Sequence, residues 1–212
     1  MKEHIICLAV AAGVAGGAYY LGTTRTAGVP NCTISEKRCA LRTSMRKLWS
    51  EHVWLEREYL ITSFANLPEV PVIIDNLMKN ASNISNAMAP YYGKEADKAL
   101  DVLLKDHILI SFDVAAAARA KDKETLKAMD AKWHANADDI AAFLSDANPY
   151  WKPKEMQSMM YKHLKLITNE VNERIAQDWK AEIKAAQAVL EEMMMFADML
   201  TNGIVQQFPD KF

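Results

Sequence analysis

Hydrophobic residues recur along this chain at three- and four-residue spacing, the period of helices buried along one side. Met45, Leu48, Trp49, His52, Leu55 and Tyr59 share one face of a helix expected from about Ser35 to Ala65. Asn66-Leu-Pro68-Glu-Val-Pro71 breaks it. A second helix, from about Val72 to Ala89, aligns Leu77, Asn80, Ile84 and Ala87 before Pro90-Tyr-Tyr-Gly93. The third, from about Glu95 to Ala120, sets Leu100, Leu103, Leu104, His107, Ile110 and Val114 at core spacing. Asp122 is suited to cap a fourth, on which Trp133, Asn136, Ile140 and Phe143 line up, closed by Asn148-Pro-Tyr-Trp151. Pro153 fits the first turn of a fifth, with Met156, Met159, Met160, His163, Ile167 and Glu170 along one stripe. The sixth groups Val189, Glu192, Met195, Phe196 and Met199 and is expected to stop near Asn202-Gly203.

Polar residues interrupt these apolar stripes at regular intervals. His52, His107 and His163 are separated by 55 and 56 residues, and Asn80, Asn136 and Glu192 by 56 each. Asn80-Ala-Ser-Asn-Ile84 nearly repeats as Asn136-Ala-Asp-Asp-Ile140, and Pro90, Pro149 and Pro209 each have an aromatic neighbour. No proline or glycine divides the fifth helix from the sixth. Asp178 follows His163 by 15 residues, as Asp122 follows His107, so the repeat itself places the break there. The pattern predicts an all-α domain over 35–212, a six-helix bundle built from three related helical hairpins with short, antiparallel connections.

Composition agrees, being rich in Ala, Leu, Met, Lys and Glu with only seven Gly and seven Pro. Acids exceed bases by 27 to 25 and the bases are scattered, which disfavours nucleic acid as a partner. Arg42, Arg46 and Lys47 read as a solvated helix end. Residues 1–22 differ in kind: Ile5 to Leu21 is an uncharged run of 17 residues after Lys2, expected to form an apolar N-terminal helix. It reads as a membrane anchor, or else a cleaved signal with Gly16-Gly17-Ala18 at its end, which would leave the domain tethered, secreted or periplasmic. Gly13 and Gly17 form a GxxxG pair that could join two such helices in a homo-oligomer. Residues 23–34 read as a tether. In an exported domain, Cys32 and Cys39 would be the expected disulfide.

The six repeated polar residues occupy positions where periodicity predicts burial, and an unpaired buried polar group costs roughly 1–3 kcal/mol. One reading pairs each histidine with an Asn or Glu, giving a polar core (Asn80, Asn136) inside a binding or scaffolding module. The other gathers His52, His107, His163 and Glu192 around a divalent metal ion, with Glu51, Glu56, Asp106, Asp138, Asp139, Glu170 and Asp198 as further acids near enough to join. His52 and Glu56, like His134 and Asp138, stand four apart, a spacing that suits two ligands from one helix. Paired Glu-x-x-His segments of a diiron bundle are missing, as are GxSxG, HExxH and a glycine-rich phosphate loop, so no catalytic residue or reaction is assigned. Twelve methionines and five tryptophans read as core filling.

Several segments together resemble an uncharacterised bacterial family of small all-helical proteins. They are Arg46-Lys47-Leu48-Trp49 through His52-Val53, Pro90-Tyr91-Tyr92-Gly93, Asn136-Ala137-Asp138 with Ile140-Ala141, Asn148-Pro149-Tyr150-Trp151, Met160-Tyr161 with His163-Leu164, Ala197-Asp198, and Gln207-Phe208-Pro209. The resemblance covers nearly all of the domain and implies a helical fold without an established activity. This chain departs from the family pattern at Glu56 and Glu58, where less acidic residues are usual, and in its added apolar N-terminus.

Overall fold

The computed structural model describes residues 35–212. The apolar segment, the tether and Cys32 lie outside the described residues, so the anchor and the Cys32–Cys39 pairing do too. Cys39 itself is exposed. The described chain is all-α: α1 (Glu36–Ala65), α2 (Val70–Tyr92), α3 (Lys94–Ala120), α4 (Lys123–Ala147), α5 (Pro153–Ala176) and α6 (Trp179–Gln207), then a 3-10 turn at Pro209–Lys211. Each helix packs on the ones before and after it, α6 returns to α1, and α3 also touches α5. The six helices therefore close on themselves around one shared interior. None of the described helices is long and apolar enough to cross a membrane.

Helix ends follow from local chemistry. Ser35, Asp122 and Asp178 accept hydrogen bonds from the amides of Arg38, Thr125 and Ala181, capping α1, α4 and α6. α1, α3 and α5 all end on a non-glycine residue in the left-handed region: Asn66 (φ 55°), Lys121 (φ 57°) and Gln177 (φ 59°). The next amide then returns to the carbonyl five residues back, Leu67 to Thr62, Asp122 to Ala117 and Asp178 to Glu173. One turn geometry thus recurs three times, and the expected break between α5 and α6 is one of its instances.

Two boundaries differ from expectation. α2 runs through Pro90 to Tyr92, because a proline in the last turn removes only one ladder bond. α6 runs past Asn202 and Gly203 to Gln207. Gly203 is not a stop: a Cβ there would lie 1.9 Å from the Trp151 indole nitrogen, so its missing side chain makes room for a fully buried ring. The Trp151 Nε1–H donates to the Met199 carbonyl at 3.3 Å.

Segments marked by the repeated prolines meet at one end of the bundle. Asn148 Nδ2 donates to Tyr92 Oη at 2.8 Å, and Tyr92 Oη donates to Gln207 Oε1 at 2.9 Å. Burial pushes the Tyr92 phenol up to about 12, which keeps it a donor. Arg42 and Arg46 are exposed, as expected, and both also fork onto Asp198 and tie α1 to α6.

Candidate metal centre

The odd-numbered helices each turn one histidine inward. His52, His107 and His163 are 5%, 6% and 5% exposed, and line a common cavity of about 30 Å³ with Glu192, Trp49 and Met160. The His107 and His163 rings stand 5.9 Å apart, centre to centre. Trp49 packs against the His52 ring at 5.7 Å and Trp133 against His107 at 5.5 Å, which limits how far either imidazole can turn.

The even-numbered helices hold these rings by a repeated device. Asn80 Nδ2 donates to the Leu48 carbonyl at 3.0 Å, and Asn136 Nδ2 donates to the Leu103 carbonyl at 3.1 Å. Each carbonyl belongs to the residue four before the histidine, and these bonds orient the amide. Its oxygen must then face the ring: Asn80 Oδ1 is 3.2 Å from His52 Nδ1, and Asn136 Oδ1 is 2.6 Å from His107 Nδ1. An amide oxygen only accepts, so both imidazoles carry their proton on Nδ1 and present an Nε2 lone pair. On α6, Glu192, only 1% exposed, stands against the third histidine, with Oε2 at 3.6 Å from His163 Nδ1. A carboxylate cannot donate to the Met159 carbonyl, so this clamp is charged rather than locked.

Electrostatics separate the three rings. Burial, then the neighbouring His163, pushes His52 down to about 4, while Asn80 opposes the shift. Burial likewise pushes His107 down to about 3, so both rings are neutral near pH 7. Burial also lowers His163, but Glu192 and Glu56 outweigh it and the net shift is upward.

Beside the histidines lies a second polar layer. His52 Nε2 is 4.0 Å from Glu56 Oε2, one turn along α1. A neighbouring cavity of about 20 Å³ is lined by Glu56, Arg57 and Glu170. Arg57 donates to Glu170 at 2.9 Å and to Glu182 at 2.6 and 3.1 Å, and Arg174 donates to Glu182 at 3.1 Å. Burial raises the Glu56 carboxyl. Burial, helped by the charge on Glu56, raises Glu170 to about 7 against the pull of Arg57.

Several atoms at this centre find no hydrogen-bond partner in the protein: His107 Nε2, His163 Nδ1, Glu56 Oε2 and Glu192 Oε2 are all buried and unpaired. Among the described residues, no three His, Cys, Asp or Glu side chains are already arranged to enclose one ion.

The other acids expected near the histidines divide clearly. Glu56 and Glu170 reach the interior, whereas Asp106 and Asp139 are exposed, Asp198 is held by the two arginines, and Glu51 pairs with Lys47 at the surface. His134 does not join Asp138. Its Nδ1 faces the Asp130 carbonyl, while Asp138 accepts from Gln157 and Tyr161, so that helical spacing brings no ligand pair together. Sequence reasoning missed Arg57, Arg174 and Glu182. Glu182 has the position of an ordinary first-turn acid after the Asp178 cap, and nothing in the spacing marks the two arginines as its partners.

No family model, curated protein or solved structure matches this chain.

Proposed function

We propose that this protein is a divalent-cation-binding helical bundle whose ion is held by the Nε2 atoms of His52, His107 and His163. One observation carries the reading: two imidazoles are clamped at Nδ1 and a third faces Glu192 there, while the buried Nε2 of His107 has no partner. Metal-binding histidines need that arrangement, with the second nitrogen fixed by an outer acceptor and the first left as a lone pair. Neutral His52 and His107 at pH 7 suit it as well. Donors on one zinc-sized ion at about 2.1 Å stand roughly 3–3.4 Å apart, and among the described residues no three such side chains are grouped to hold an ion, so this reading requires the rings to move together on binding. Glu192, placed beside Nδ1, acts as an outer partner in this reading rather than as a ligand. Descent of the bundle from three copies of one hairpin accounts for the recurring clamps and for the recurring left-handed helix ends.

The role this supports is storage, sensing or redox handling of the ion by a domain that is tethered to a membrane or exported through residues 1–22. The experiment is equilibrium dialysis of full-length protein against Zn²⁺ or Co²⁺, followed by elemental analysis. One ion per chain, lost in His107→Ala, supports the reading, and absence of stoichiometric uptake refutes it.

A binding or scaffolding module with a polar core is the second reading. The two asparagine clamps favour it, since they satisfy their own amides and one nitrogen of each ring without any ion. It predicts no ion uptake and a loss of stability, rather than of binding, when a clamp is removed.

A further inference from the structure

We infer that Glu56 is the oxygen ligand that completes the three-histidine centre, and that this set of three nitrogens and one oxygen selects a first-row dication. The inference rests on the cation-binding reading above and adds the fourth ligand and the class of ion.

Two features single out Glu56. Its Oε2 lies 4.0 Å from His52 Nε2, within a small side-chain rotation of sharing an ion with it. That oxygen is also buried without a hydrogen-bond partner, although the guanidinium of the adjacent Arg57 is committed to Glu170 and Glu182. Arg57 is therefore engaged by the neighbouring carboxylates, and Glu56 is left facing the histidines. Glu192 is in a different position, against Nδ1 of His163, where a ligand to the shared ion does not belong.

The donor set gives the class of ion. Three imidazole nitrogens and one carboxylate oxygen suit a borderline first-row dication such as Zn²⁺, Co²⁺, Mn²⁺ or Fe²⁺ over Ca²⁺ or Mg²⁺, which take all-oxygen shells.

The test is Co²⁺ titration of the full chain, read by visible d–d absorption and dialysis, for wild type, Glu56→Gln, Glu192→Asn and His107→Ala. Glu56→Gln keeps the shape of the side chain and is expected to weaken Co²⁺ at least 100-fold. Glu192→Asn recreates the clamp seen at His52 and His107, and, because Glu192 is an outer partner rather than a ligand, is expected to keep Co²⁺ affinity within about 10-fold of wild type. Ca²⁺ at the same concentration is expected not to compete. If wild type takes up no Co²⁺, the cation-binding reading itself fails. If wild type binds and His107→Ala does not, but Glu56→Gln binds as wild type, the fourth-ligand assignment is overturned while the histidine centre stands. Competition by Ca²⁺ overturns the donor-set argument, and abolished binding in folded Glu192→Asn overturns the placing of Glu192 as an outer partner. Circular dichroism and urea melts of each variant separate lost binding from lost fold.

Discussion

Asn136 offers the cleanest perturbation of the clamp. In Asn136→Ala, His107 Nδ1–H loses its acceptor at 2.6 Å and the Leu103 carbonyl loses the donor at 3.1 Å. The two losses are unequal, because the carbonyl sits within a helical ladder whereas the imidazole is 6% exposed and its Nε2 is already unpaired. Stranding the ring donor costs roughly 1–3 kcal/mol, and the vacated side-chain volume adds about 1 kcal/mol. We therefore expect about 2–4 kcal/mol of destabilisation, equivalent to a fall in Tm of about 4–16 °C for a domain of this size. Urea unfolding followed by tryptophan fluorescence measures it as a lower midpoint at unchanged slope. Asn136→Asp keeps the acceptor and copies the charged Glu192–His163 pair, so it should raise the His107 pKa, read by NMR titration. A midpoint for Asn136→Ala within about 0.5 kcal/mol of wild type would refute the argument that the amide holds the ring.

Other perturbations probe the frame around the centre. Gly203→Ala places a methyl 1.9 Å from the Trp151 indole nitrogen, so displacement of that ring should cost about 1–3 kcal/mol, read by thermal unfolding and a shift in indole emission. Arg57→Met strands Glu170 and leaves Glu182 with Arg174 alone; loss of a buried partner costs about 3–5 kcal/mol, and the low end applies because Glu170, already raised to about 7, can take up a proton. Hydrogen bonds from Arg42 and then Arg46 hold the Asp198 carboxyl below its ordinary value. Its stabilisation is thus present above the unfolded carboxyl value of about 4 and is lost as pH falls from there toward the folded value. With the two arginines 49% and 44% exposed, solvent screening limits this to roughly 1 kcal/mol. Asp198→Asn should remove that part of the acid dependence, measured by urea midpoints between pH 3 and pH 7.

Much of this fold was legible because periodicity reports burial directly. The stripes through His52, His107 and His163 and through Asn80, Asn136 and Glu192 turn those six residues inward, although Met195, grouped with Glu192, is exposed, and the repeat located a helix break at Gln177–Asp178 that no proline or glycine marks. Composition misled at Gly203, where a residue typical of helix ends serves instead to admit Trp151 from another part of the chain. Charge told half the story at Arg42 and Arg46: both are exposed as the basic turn suggests, but their common partner Asp198 is brought to them only by α6. The site was half legible. Equal spacing pointed to three histidines and three partners, but which ring nitrogen each partner takes depends on amides reaching the Leu48 and Leu103 carbonyls across a helix pair. Glu182 and its two arginines carried no periodic mark, because their pairing spans α1, α5 and α6 and exists only after the helices close.

X-ray absorption at the zinc edge of the zinc-loaded full-length protein tests the central claim most directly. The account predicts three nitrogen scatterers near 2.0–2.1 Å with the outer-shell pattern of imidazole, plus one oxygen at similar distance and no sulfur. Sulfur scattering near 2.3 Å, or a first shell lacking the imidazole pattern, would place the ion elsewhere and contradict a centre built from His52, His107 and His163.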